Sequence, residues 1–142
     1  SQLKKDLATA KEELQAITET TDVAFENCSI MIEYKKEQGK YAPKYEKTTQ
    51  DLTELFKIIA MQMLDVALTE SSVDKILRSK LFGENSYWYS FCDPQFVKQI
   101  LYQLKAAGLL YSSWSKDKST LFWGLTKKGV LTRDQMMLIK KS

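Results

Sequence analysis

The stretch AAGLLYSSWSKDKSTLFWGLTKKG, from Ala106 to Gly129, decides how the rest of the chain is read. Two alanines and a glycine close a helix. Leu109 to Trp114 and Thr120 to Leu125 read as two strands, rich in aliphatic and aromatic residues, with the charged turn SKDKS between them. LTKKG leads out of the second strand. Just upstream, DPQFVKQILYQLKAAG carries the punctuation of a helix over 94–107: Asp93 as N-cap, Pro94 as first helical residue, Gly108 as the residue past the end. At about 100° per residue, Phe96, Val97, Ile100, Leu101 and Leu104 gather on one side of that helix. Gln95, Lys98, Gln99, Tyr102 and Ala106 gather on the other.

Working backwards, NSYWYSF reads as a short aromatic strand. ESSVDKILRSKLF reads as a helix capped by Thr69 and stopped at Gly83, burying Val73, Ile76, Leu77 and Leu81. A helix before it starts at Asp51, with Glu54 placed as a capping-box partner. Its wide apolar face is Leu55, Phe56, Ile58, Ile59, Met63, Leu64 and Val66. Earlier still, Cys28, Ile30, Ile32 and Tyr34 alternate with Asn27, Ser29, Met31 and Glu33. Together with Tyr41, Pro43 and Tyr45 they predict a β-hairpin over roughly 23–49 turning near Gly39. Pro43 cannot donate to a ladder, so the second strand is an edge or is interrupted there. At the start, Leu3, Leu7, Ala10, Leu14 and Ile17 are spaced alternately by 4 and 3 residues, a heptad seam that predicts a coiled-coil helix. After the wing, TRDQMMLIKK predicts a short last helix starting at Thr132.

From residue 51 the order is helix, helix, strand, helix, strand, turn, strand, the layout of a winged helix, although the first strand of that fold more commonly lies between its first two helices. The expected class is α+β, a winged-helix-like domain with an additional N-terminal hairpin and a coiled-coil helix: 1–21 the helix, 22–142 the domain, with the hairpin at 22–50. The ending ILYQLKAAGLL…STLFWGLTKKG resembles that of many winged-helix domains, through Leu104, Gly108, Leu109, Leu125, Thr126 and Gly129. More broadly, the heptad helix, the long hairpin, DLTELFKIIAMQML and TESSVDKILRSKLF resemble the C-terminal region of uncharacterised bacterial proteins that begin with a domain similar to the Toll/interleukin-receptor fold. That resemblance implies the non-enzymatic, binding or sensing half of a longer cytoplasmic protein. It carries over no binding residue.

Charge is uneven along the 142 residues. Residues 1–92 hold 12 Lys and Arg against 15 Asp and Glu, whereas residues 93–142 hold 9 against 3. The basic excess therefore falls on the winged part and suggests an anionic partner. The chain has no histidine, which excludes Ser-His-Asp and Cys-His catalysis and leaves no ligand set for zinc. Glycine-rich phosphate motifs are missing. The expectation is no enzyme, no cofactor and no metal. Cys28 and Cys92, in apolar and aromatic surroundings, are expected to be buried reduced thiols. No apolar run approaches the roughly 18 residues of a membrane helix, and the start lacks the apolar core of a signal peptide.

Two partners stay open. Double-stranded DNA would meet Gln95, Lys98, Gln99 and Tyr102 of the third helix and Lys116 and Lys118 of the wing tip, with Lys127, Lys128, Lys140 and Lys141 adding charge. A protein partner, or a homo-oligomer through the N-terminal heptads, would use the same fold differently. A Gln/Lys/Tyr helix face is also what solvent favours, and lysines at a hairpin tip discourage edge pairing. The only arginines, Arg78 and Arg133, fall outside the third helix. The aromatics beside that helix are expected to be mainly core, with a base-stacking platform as the alternative.

Overall fold

The computed structural model describes residues 28–139, apart from the side chain of Ile139. The heptad residues Leu3, Leu7, Ala10, Leu14 and Ile17, and Lys140 and Lys141, lie outside the described residues. The chain enters through β1 (Ser29–Gln38), turns at Gly39 and returns as β2 (Tyr41–Asp51). Three helices follow: α1 (Leu52–Ala60), α2 (Glu70–Phe82) and α3 (Phe96–Ala106). The two-residue strand β3 (Leu68–Thr69) lies between α1 and α2, and β4 (Tyr89–Phe91) lies between α2 and α3. The wing strands β5 (Leu110–Trp114) and β6 (Leu121–Leu125) lead into α4 (Lys127–Ile139).

Two small sheets result. One has the order β3-β6-β5 and the other β2-β1-β4. The first is the sheet of a winged helix, and its third strand is Leu68–Thr69, paired with Phe122 and Trp123. The expected aromatic strand NSYWYSF is thus corrected. Residues Gly83–Trp88 form a 3₁₀ turn, and only Tyr89–Phe91 extend, pairing with Tyr34–Lys36 of the hairpin instead of the wing. A two-residue strand leaves no alternation to read, and Thr69 is also the α2 N-cap, its Oγ1 accepting from the Ser72 N–H at 3.2 Å. The first strand therefore sits in its usual place between the first two helices.

The hairpin forms with its expected turn, β2 is an edge strand, and the ladder register shifts beside Pro43, between Lys36 and Gln38. Tyr34 fastens the ladder from the side, its hydroxyl donating to Glu46 at 2.9 Å. The hairpin is tied to the domain. Ile32 is wholly buried with Leu55, Phe56, Ile59, Leu77, Ile100, Leu101, Leu104 and Trp123 in a single core. An aromatic group joins the two parts: Phe82 stacks on Tyr89 at 4.5 Å, Tyr34 lies against Phe82 at 4.7 Å, and Phe91 against Phe96 at 4.6 Å.

Several local expectations change. Asp51 precedes α1 but does not cap it; its carboxylate accepts from the Ser29 hydroxyl across the hairpin. The helix ends at Ala60, where Gln62 and Met63 tighten the last turn by donating to Ile59 and Ala60. Beyond that point the helical period stops, so Met63 is buried whereas Leu64 and Val66 face outward. Helix α4 begins at Lys127, five residues before the expected Thr132, because Thr126 Oγ1 accepts from the Gly129 N–H at 3.0 Å. Both cysteines are exposed: Cys28 lies just before β1 and Cys92 just after β4, beyond the ends of the strands. Among the described residues no helix is long and apolar enough to cross a membrane.

Candidate nucleic-acid interface

Helix α3 is the candidate docking element, and both its ends are set by local chemistry. Its start falls two residues later than expected. Asp93 Oδ1 accepts from the Gln95 N–H at 2.8 Å, and the Asp93 carbonyl accepts from the Phe96 N–H at 3.1 Å. That turn contains Pro94, so the helix proper begins at Phe96. Its end is a Schellman motif: Gly108 N–H donates to Lys105 and Leu109 N–H to Leu104. Gly108 has φ +79°, a conformation that costs an L-residue roughly 1–2 kcal/mol.

The LTKKG exit locks this end. Thr126 Oγ1 donates to the Gly108 carbonyl, and Lys128 Nζ donates to the Ala107 carbonyl. Gly129 packs so closely on the Leu109 carbonyl that a Cβ there would stand 2.1 Å from its oxygen. Lys128 is 8% exposed, and burial pushes its ammonium below the ordinary value. It caps a helix from inside and is not available to a phosphate, which corrects its place among the basic surface residues. Arg133 is likewise 9% exposed, aimed at the Met63 carbonyl and paired with Asp134.

The helix buries Phe96, Val97, Ile100, Leu101 and Leu104, as its pattern requires. Gln95, Lys98, Gln99, Tyr102 and Ala106 are exposed, so the outer face is the one read from the sequence. The structure adds what flanks it. On one side lies the wing: Lys105 Nζ donates to Ser112 Oγ at 2.8 Å, and Tyr102 meets the buried Trp123 edge-on at 5.3 Å. Tyr102 stays 50% exposed, so one face of its ring is open. On the other side lies β1. Ile30, Met31 and Glu33 face Asp93, Phe96, Gln99, Ile100 and Gln103 across a cleft of about 240 Å³. The helix runs in a trough between two β-ribbons.

The wing tip is a built turn. Asp117 Oδ1 accepts from Ser115 Oγ, Ser119 Oγ and the Ser119 N–H at 2.6–3.0 Å, which pulls its carboxyl down to about 2. Lys118 adopts φ +59°, and Lys116 and Lys118, the chain neighbours of Asp117, are both exposed. Lys98 and Lys105 of the helix and Lys116 and Lys118 of the wing are exposed, as is Lys127 at the start of α4. Lys105 was not singled out from the sequence. Its place in the last turn of the helix, just before the glycine stop, was the available signal.

The aromatics divide. Trp123 is core, Tyr89, Phe91 and Phe122 are half-buried, and Tyr87, Trp88 and Trp114 are exposed. Trp88 and Tyr87 pack on one another at 5.0 Å. Among the described residues no cluster of acids and cysteines could hold a metal ion.

No family model and no curated protein sequence matches the chain. Several solved structures are similar in outline, among them the following. ZitR of Lactococcus lactis in an apo form is 20% identical with a TM-score of 0.48, over 63% of this chain and 59% of that one. ZitR in complex with DNA is 17% identical with a TM-score of 0.44, over 93% and 73%. BpsR of Bordetella bronchiseptica, whose DNA binding is regulated by 6-hydroxynicotinic acid, is 15% identical with a TM-score of 0.44, over 99% and 80%. The winged-helix assignment stands on this chain's own element order and on the β3-β6-β5 sheet.

Proposed function

We propose that this domain binds double-stranded DNA, laying the outer face of α3 in the major groove and setting the β5–β6 wing on the neighbouring backbone. One observation carries the reading: Gln95, Lys98, Gln99 and Tyr102 are exposed together on a rigidly capped helix, beside a wing whose tip presents Lys116 and Lys118. Glutamine pairs with adenine edges, lysine meets phosphate or guanine, and a half-open tyrosine ring packs on sugar. Lys105 supports the backbone contact from the wing side. In this reading residues 22–142 act as one binding unit of a longer bacterial protein, in keeping with the likeness to regions that follow a Toll/interleukin-receptor-like domain.

The test is affinity for random duplex DNA across a salt series, for the wild type and for a variant with Lys98, Lys116 and Lys118 changed to Glu. The wild type should weaken steeply with salt, by a slope of about −0.9 per phosphate contact. The variant should bind far more weakly, with a slope shallower by about 2–3. No detectable binding at low salt would sink the proposal.

The heptads favour a second reading, self-association through Leu3, Leu7, Ala10, Leu14 and Ile17. Light scattering of the chain with and without residues 1–18 tests it, and equal masses per chain count against it.

A further inference from the structure

The trough around α3 has unlike walls. The wing side carries Lys116 and Lys118 at its tip, with Lys98 and Lys105 on the helix beside it and Asp117 as the opposing charge. On the hairpin side, Glu33 of β1 and Asp93 of the turn before α3 line the cleft that Gln99 also lines. Glu33 is only loosely compensated, by Lys47 at 3.7 Å on the far strand, with both side chains more than half exposed. Asp93 spends one oxygen on the Gln95 N–H and has no lysine or arginine ion-pair partner within 4 Å among the described residues. Neither acid is needed to hold the fold: Glu33 is on an exposed strand face, and an asparagine at 93 would accept the same N–H.

We infer that Glu33 and Asp93 form an acidic rim that repels the phosphate ridge on the hairpin side of α3, so that backbone contact is confined to the wing side and sequence-independent DNA binding is held down. The inference rests on the DNA-binding reading above. A helix seated in a major groove about 12 Å wide brings both phosphate ridges near its flanks. A carboxylate about 10 Å from a phosphate is felt at low salt and screened at physiological salt. The rim therefore acts most on weak, non-specific encounters, which are almost wholly electrostatic. One flank attracts and the other repels, which fixes how the helix is tilted in the groove.

The experiment compares random-duplex binding by the wild type and by Glu33→Gln combined with Asp93→Asn, in a salt series, with circular dichroism confirming the fold. The double variant should bind about 3- to 10-fold more tightly at low salt, with the gain shrinking as salt rises. Glu37→Gln, compared with Glu33→Gln alone, removes the same single charge four residues farther along β1, roughly 13 Å away. It should change affinity by less than about twofold. An equal gain in this control would mean that net charge alone matters, and would overturn the rim. So would wild-type binding that the double variant does not improve. Absence of binding in both proteins overturns the rim and the DNA-binding reading together.

Discussion

Thr126, Lys128 and Gly129 show how one short motif is spent on architecture. Their side chains and backbone close the end of α3 onto the start of α4, with Thr126 Oγ1 both donating to Gly108 and accepting from Gly129. Thr126→Val leaves those partners unsatisfied in a part-buried site and should cost about 1–3 kcal/mol in urea unfolding. Gly129→Ala places a methyl 2.1 Å from the Leu109 carbonyl, so helix α4 must shift; the expected loss exceeds about 3 kcal/mol. Lys128 gives a pH signature. Its folded value lies below the ordinary 10.5, so between the two values the unfolded chain binds more protons and stability rises with pH. That alkaline rise should vanish in Lys128→Met, read as the difference between the two proteins' unfolding free energies from pH 8 to about 10.5.

At the scale of elements, the wing turn depends on one ionised carboxylate. The Asp117 carboxyl sits at about 2 in the fold against an ordinary 3.8, because three donors from Ser115 and Ser119 favour its charged form. Its ordering of the turn is complete above 3.8 and is lost as pH falls through about 2. Protection of the Ser119 amide, relative to its intrinsic exchange rate, should fall over that interval, and Asp117→Ala should show little protection at any pH. Helix α3 is the element most fully legible in advance, since its apolar stripe and glycine stop are local properties. The misread strand was a tertiary matter. Tyr89–Phe91 has the composition of a strand in either sheet, and only the packing of Phe82, Tyr34 and Phe96 assigns it to the hairpin.

For the whole molecule, the hairpin and the winged part share one core through Ile32, which is completely buried. Ile32→Ala should therefore cost about 2–5 kcal/mol and shift a single cooperative transition, whereas exposed Met31→Ser should be near neutral. Two separate transitions in calorimetry would show that the hairpin folds apart. The sequence by itself determined the winged order, the turn at Gly39, the buried and exposed sides of α3, and the basic excess of the last third. These follow from periodicity and from residues whose backbone preferences act over a few neighbours. The tertiary structure decided which strand completes the wing sheet, that Lys128 and Arg133 are buried while Cys28 and Cys92 are exposed, and that Glu33 and Asp93 line one cleft beside the candidate docking helix. Each of those depends on which distant segments come into contact, and contact between distant segments is set by the shared core and not by local pattern.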